Sequence, residues 1–263
     1  MPRFTANLSM LFTEAPFLER FKAAAQAGFS AVEFMFPYEF SKRDVAQALK
    51  DNGLELDLHN LPAGDWAHGE RGIACHPDRV AEFRDGVDKA IDYAQALNCP
   101  KVNCLAGILP TGVTPGAARG VLIENLRYAA EKLQAAKIGL LLEPVNSRDV
   151  PGFFVDRPSV GFSILSATGS KNVKLQYDVY HAQVTEGDLA NTIEREFDRI
   201  GHIQVADNPG RHEPGTGEIN YPYLFRRLEE LGYSGWIGCE YKPKTTTAEG
   251  LSWVRPYLTK ELA

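Results

Sequence analysis

The chain has 263 residues, 44% hydrophobic and 24% charged, with 28 Lys and Arg against 34 Asp and Glu for a formal net charge of −6. That is the composition of a globular protein with an ordinary core, and an acidic balance with no run of basic residues speaks against nonspecific binding to nucleic acid or to an anionic membrane. No stretch approaches the ~18 apolar residues that span a bilayer, and the start MPRFTANLSMLF lacks a secretory apolar run. Cys75, Cys99, Cys104 and Cys239 show neither a CxxC pair nor a zinc spacing, which predicts reduced, buried thiols in a cytoplasmic protein.

Taken in chain order, strand patterns at 3–8, 31–36, 54–60 and 101–107 alternate with helical patterns. The first helix runs through FLERFKAAAQAG, with Phe17, Leu18, Phe21 and Ala25 on one face, and stops at Gly28. The second opens on Ser41 as N-cap, carries Asp44 three residues on and stops at Gly53. A third covers 78–97. The second half supplies strands at 139–145, 173–179, 202–207 and 235–241, and helices at 117–136, 159–168, 188–199, 221–231 and 247–260. Asn220 is a natural cap for the 221–231 helix, with Pro222 in its first turn and Gly232 after it. Eight strand–helix units with nothing left over predict a (β/α)8 TIM barrel, one domain over 1–263. A doubly wound sheet has the same alternation, but no Gly-rich phosphate loop follows the first strand.

Alternation within strands predicts which residues face inward. In LELDLHN, Leu54, Leu56 and Leu58 take the helix side while Glu55, Asp57 and His59 point into the barrel. VKLQYDV sends Lys174, Gln176 and Asp178 inward, and HIQVAD sends His202, Gln204 and Ala206 inward. The last inward residue is polar on five strands: His59, Glu143, Asp178, Gln204 and Glu240. These would stand at the C-terminal rim, where barrel enzymes keep their active sites. Three carboxylates there, with no Arg on the same strands, would repel strongly in a medium of low dielectric. One divalent cation relieves that cost, and an all-oxygen donor set favours Mg²⁺ or Mn²⁺ over zinc. The competing reading is a structural ion-pair network with loop lysines such as Lys242.

The segments FTANLSMLF, VEFMFPY, LHNLPAGDWAHGERGIACHP, ENLRYAA, LLLEPVN, QYDVYHAQ, GHIQVADNPGRHEPGTGEINYPYLF and GWIGCEYKP carry a resemblance. They resemble the xylose isomerase-like superfamily of sugar isomerases and epimerases nearly end to end, and within it the group that isomerises hydroxypyruvate. The resemblance implies one divalent metal held by Glu143, Asp178, Gln204 and Glu240; Gln204 stands where many related epimerases have His. It also implies an enediolate isomerisation of hydroxypyruvate to tartronate semialdehyde, with Glu143 and Glu240 as the acid/base pair. Asp149 stands where related epimerases use a substrate-contacting Glu, one methylene longer.

Further expectations concern the substrate. His59 and His181 are candidates to hydrogen-bond substrate oxygens, the latter matching a substrate-contacting position of related epimerases. Arg211 and Lys242 are candidates for the substrate carboxylate, with bidentate geometry favouring Arg. The segment 61–77 is long for a barrel loop, which suggests a cover carrying Trp66, with Glu70 and Arg71 at the rim, or a contact in a homo-oligomer. His68, His76, His202 and His212 read as structural or exposed. The alternatives are the same chemistry on a 2-oxo-tetronate or a keto-sugar, an abasic-site nuclease, which needs more His at the rim and a basic face, and a non-catalytic small-molecule binder.

Overall fold

A computed structural model describes residues 1–258. Eight parallel strands, β1 (Arg3–Asn7), β2 (Ala31–Phe34), β3 (Glu55–Asn60), β4 (Lys101–Leu105), β5 (Gly139–Glu143), β6 (Val173–Asp178), β7 (Ile200–Val205) and β8 (Trp236–Cys239), close in sequence order into a barrel. The seam runs from Arg3 opposite Trp236 to Ala6 opposite Cys239. Around it lie α1 (Phe17–Gln26), α2 (Lys42–Asp51), α3 (Val80–Ala96), α4 (Pro115–Ala135), α5 (Pro158–Thr168), α6 (Val179–Thr185), α7 (Leu189–Arg195), α8 (Tyr221–Glu230) and the short α9 (Arg255–Leu258).

The helix starts follow local chemistry. Ser41 accepts from Asp44 N at 3.1 Å, Thr114 from Ala117 N at 3.3 Å, and Asn220 from Tyr223 N at 3.2 Å, each satisfying an amide that the first turn leaves free. The barrel's apolar side packs on these helices. At the seam, Phe4, Phe225, Trp253 and Tyr257 stack and edge against one another with ring centroids 5.1–6.0 Å apart. All four cysteines are buried and free, and among the described residues no helix is long and apolar enough to cross a membrane.

Three departures from the sequence pattern bear on the site. First, β3 does not alternate strictly: Val32 pairs with Leu56 and Glu33 with Leu58, so Asp57 is an extra residue. This bulge reverses the alternation beyond it. Asp57 and Asn60 make contacts inside the barrel, while His59 is turned onto Tyr38 on the helix side, their ring centroids 6.0 Å apart. Second, the strand expected to reach 179 ends at Asp178, which caps the unexpected α6 by accepting from Tyr180 N at 2.8 Å and His181 N at 3.5 Å. Third, the helix expected over 188–199 is α7 followed by a 3₁₀ turn at Phe197–Arg199. The one expected over 247–260 is a 3₁₀ turn at Glu249–Leu251 and then α9, with residues 259–260 outside the described ones.

Candidate active site

Glu143 and Asp178 end β5 and β6, and Glu240 follows β8, so the strand ends bring three buried carboxylates to the C-terminal mouth. Glu143 accepts from Asn103 Nδ2 at 2.6 Å, and Glu240 from Asn7 Nδ2 at 2.9 Å and Gln204 Nε2 at 2.5 Å. Asp178 spends Oδ1 on the α6 cap, and its buried Oδ2 has no hydrogen-bond partner. His181, one turn into α6, lies with Nε2 3.5 Å from that oxygen. Its Nδ1 sits 2.6 Å from Asn146 Nδ2, which is a donor, so Nδ1 accepts.

The electrostatic balance differs from the sequence expectation in one respect. No arginine lies on the strands that carry the acids, yet Arg211 enters from the loop after β7 and places Nη2 2.7 Å from Glu240 Oε1 and 3.5 Å from Asp178 Oδ2. Its backbone is held in the left-handed region, φ 54°, with its carbonyl accepting from Lys242 N at 2.9 Å, so a strained loop aims the guanidinium inward. The neutralising group is therefore an arginine, and the Lys242 side chain has no acidic partner among the described residues.

One guanidinium does not balance three carboxylates. Burial, and then the negative charge of Asp178, push Glu143 up to about 8 despite Arg211 and the Asn103 hydrogen bond. Burial and the charge of Glu143 hold Glu240 well above the usual carboxylate range. Burial likewise raises Asp178 against the pull of Arg211 and the α6 amides. His181 is pushed well below its usual value, by burial first and then by Arg211 and Arg148, so it is a neutral imidazole. One donor atom each from Glu143, Asp178 and His181 lies within 4.8 Å of the others. A buried carboxylate oxygen that accepts no hydrogen bond, with only Arg211 Nη2 and His181 Nε2 nearby at 3.5 Å, at the meeting point of three acids fits a divalent cation.

Gln204 is the least settled member of this donor set. Its Oε1 accepts from Gln176 Nε2 at 2.7 Å, while its Nε2 donates to Glu33 and Glu240. Offering oxygen to an ion takes a paired half-turn of both amides, which gives the unpartnered Gln176 Oε1 a donor and costs Glu33 and Glu240 one each.

A cavity of about 660 Å³ opens above the carboxylates, lined by Glu143, Asp149, His181, Arg211, Glu240 and Lys242 on its polar side and by Met10, Met35, Trp66, Leu105, Val145 and Phe153 on its apolar side. Trp66 and Arg71 do line it, so the 61–77 segment reaches the site. Two expectations need correction. His59 is wholly buried under Tyr38, with burial lowering its pKa to about 4, and does not line the cavity, because the Asp57 bulge turns Asn60 inward in its place. Glu70 is turned away, ion-paired with Arg79 and accepting from Asp65 N. Pattern reading also missed Asn7, Asn60, Asn103 and Glu33. Glu33 left a trace, as the single charge in the apolar run AVEFMF.

A closed barrel with acids at the strand ends defines a class, and comparison with known proteins agrees with it. Residues 21–257 match the family described as xylose isomerase-like TIM barrel, and the chain belongs to that family. It is 55% identical over 257 residues to hydroxypyruvate isomerase of Escherichia coli K12, covering 98% of this chain and all of the relative. It is 47% identical to 2-oxo-tetronate isomerase of Cupriavidus necator H16, covering 98% of this chain and 99% of the relative. Among solved structures, one described as AP endonuclease, family 2, from Brucella melitensis superposes with a TM-score of 0.95 at 49% identity, over 98% of this chain and 99% of that one.

Proposed function

We propose that this chain isomerises hydroxypyruvate to tartronate semialdehyde through an enediolate, with Glu143 and Glu240 as the acid/base pair and one Mg²⁺ or Mn²⁺ held by Glu143, Asp178, Gln204 and Glu240. The observation that carries the reading is the convergence of three buried carboxylates on one guanidinium, with an Asp178 oxygen that accepts no hydrogen bond. The isomerase relatives, alike over nearly their whole length, support it. A divalent ion in this site supplies Lewis-acid stabilisation of the negative oxygen that develops as the α proton leaves.

The chain's own groups do the rest. A carboxylate is a weak base for a carbon acid, and a cation held by Glu143 would oppose the upward push that burial and Asp178 exert in the metal-free chain, so polarisation of the substrate carbonyl has to supply most of the acidification. One glutamate removes the proton from the carbon bearing the hydroxyl, the other delivers a proton to the neighbouring carbon, and the hydroxyl proton passes from the first oxygen to the second, so the product has the composition of the substrate and no redox cofactor takes part. Arg211 stays within reach of substrate oxygens while steadying Glu240. Neutral His181 presents Nε2 toward the same point as a hydrogen-bonding group.

A second reading, the same chemistry on a four-carbon 2-oxo acid, is favoured by the 2-oxo-tetronate isomerase relative and by a cavity in the size range of pockets for much larger ligands than a three-carbon acid. The nuclease described for the Brucella neighbour fits less well: one histidine, His181, reaches this cluster, and the chain is acidic. Proton-to-deuterium exchange in hydroxypyruvate and a four-carbon analogue, with and without chelator, tests the proposal. Exchange should depend on added metal, and turnover should fall about 10²–10⁴-fold in Glu143→Gln and in Glu240→Gln. Undiminished turnover in either variant, or undiminished exchange in both, would contradict the assignment.

A further inference from the structure

Three cationic side chains line the cavity, and they are not equivalent. Arg211 is committed to Glu240 and Asp178. Lys242 is exposed, and its long stem leaves the ammonium free to wander. Arg71 is neither committed nor loose. Its Nη1 donates to Trp66 O at 3.0 Å and to Glu70 O at 2.7 Å, and its guanidinium lies 4.0 Å over the Trp66 ring. Trp66 in turn leans on Phe36, ring centroids 5.0 Å apart.

The nearest acid is withheld from it, because Glu70 is taken by Arg79 and the Asp65 amide. Among the described residues no carboxylate pairs with Arg71, and its Nε and Nη2 donate to no protein acceptor. The backbone beside it is pinned: Gly72 has φ 111°, and a side chain there would overlap the Leu105 carbonyl at the end of β4. A charge immobilised by stacking and two carbonyls, with one edge of its fork open and no counter-charge, is preorganised for a planar anion.

We infer that Arg71 receives the substrate carboxylate, and that it is what makes this cavity select α-hydroxy-oxo acids over neutral hydroxyketones of the same size. This rests on the isomerase reading and moves the carboxylate from Arg211 and Lys242, where the sequence suggested it, to the 61–77 segment. Arg211 remains with the acids at the reacting end.

The test compares hydroxypyruvate with dihydroxyacetone, in which a hydroxymethyl group replaces the carboxylate, in wild type, Arg71→Met and Arg71→Lys. In Arg71→Met, kcat/KM for hydroxypyruvate should fall about 10- to 100-fold, mainly through KM, with dihydroxyacetone changed by no more than a few-fold. Arg71→Lys should fall between, since it keeps the charge and loses the fork. An equal loss on both compounds, or no loss on hydroxypyruvate, overturns the inference. Absence of wild-type turnover on hydroxypyruvate would instead sink the isomerase reading. Binding of the non-isomerisable hydroxy acid D-glycerate, followed by tryptophan fluorescence, still decides Arg71 in that case: at least about tenfold weaker binding in Arg71→Met supports it, and unchanged binding refutes it.

Discussion

Two acidic clusters lie one above the other inside the barrel, equally buried and opposite in character. In the lower one Glu33 accepts from Thr5 Oγ1 at 2.8 Å, Asn7 Nδ2 at 3.1 Å, Gln204 Nε2 at 2.7 Å and His202 Nε2 at 2.9 Å. His202 Nδ1 faces Asp57 at 3.3 Å, and Asp57 pairs with Lys101 at 3.0 Å. Burial pulls the Glu33 pKa upward, but His202 and the hydrogen bonds from His202, Gln204 and Thr5 outweigh it and hold Glu33 below the usual range. In the upper cluster burial wins, and Glu143, Asp178 and Glu240 are all raised. Burial alone therefore does not mark a functional carboxylate. What separates the layers is the charge and donors facing each acid: Glu33 has four donors and Asp57 has Lys101, though Asp57 Oδ2 and His202 Nδ1 accept or donate no hydrogen bond, whereas the upper layer sets one guanidinium against three acids.

That contrast can be broken experimentally, and the largest effect should come from the lower layer. Glu33→Ala leaves His202 facing a void and strips Asn7 and Gln204 of a shared acceptor, so unfolding free energy should drop by about 3–5 kcal/mol in chemical denaturation. A loss below about 1 kcal/mol would mean that the network is not structural. The pH dependence of stability should come next, with the two layers pulling in opposite directions. Between 4.5 and about 8 the folded, metal-free chain keeps a proton on Glu143 that the unfolded chain releases, so this group's contribution is present below 4.5 and lost as pH rises toward 8. Glu33, lowered, contributes above its ordinary value of 4.5 and loses its contribution as pH falls below it. Denaturation of metal-free protein from pH 5 to 8 should show declining stability, and Glu143→Gln should flatten the decline. The smallest effect is steric. A Cβ on Gly238 would lie 2.5 Å from Glu33 Oε2, so Gly238→Ala should cost about 1–3 kcal/mol and leave metal binding intact.

The comparison also explains how far the sequence could be read. Eight strand–helix units were legible because their apolar runs and caps are local signals, and Glu143, Asp178 and Glu240 were legible because a carboxylate ending an apolar strand is conspicuous. His59 was misplaced because strict alternation cannot see a bulge, which exists only as the pairing of Glu33 with Leu58. The lower layer escaped notice because its partners are far apart in the chain, Glu33 and His202 being 169 positions apart. Arg211 was legible as a cation near the site, but its commitment to the acids depends on a loop geometry that composition does not encode. The α6 helix was missed because Asp178 serves at once as strand end, helix cap and candidate site residue.

The central claim is that the upper cluster is short of one divalent cation, and calorimetric titration of Mn²⁺ into chelator-treated protein tests it most directly. The account predicts one ion bound per chain in wild type, with affinity lost by at least about tenfold in Asp178→Asn, which removes the charge behind the unpartnered oxygen. Failure of wild type to bind Mn²⁺ or Mg²⁺, or equal affinity in Asp178→Asn, would contradict it.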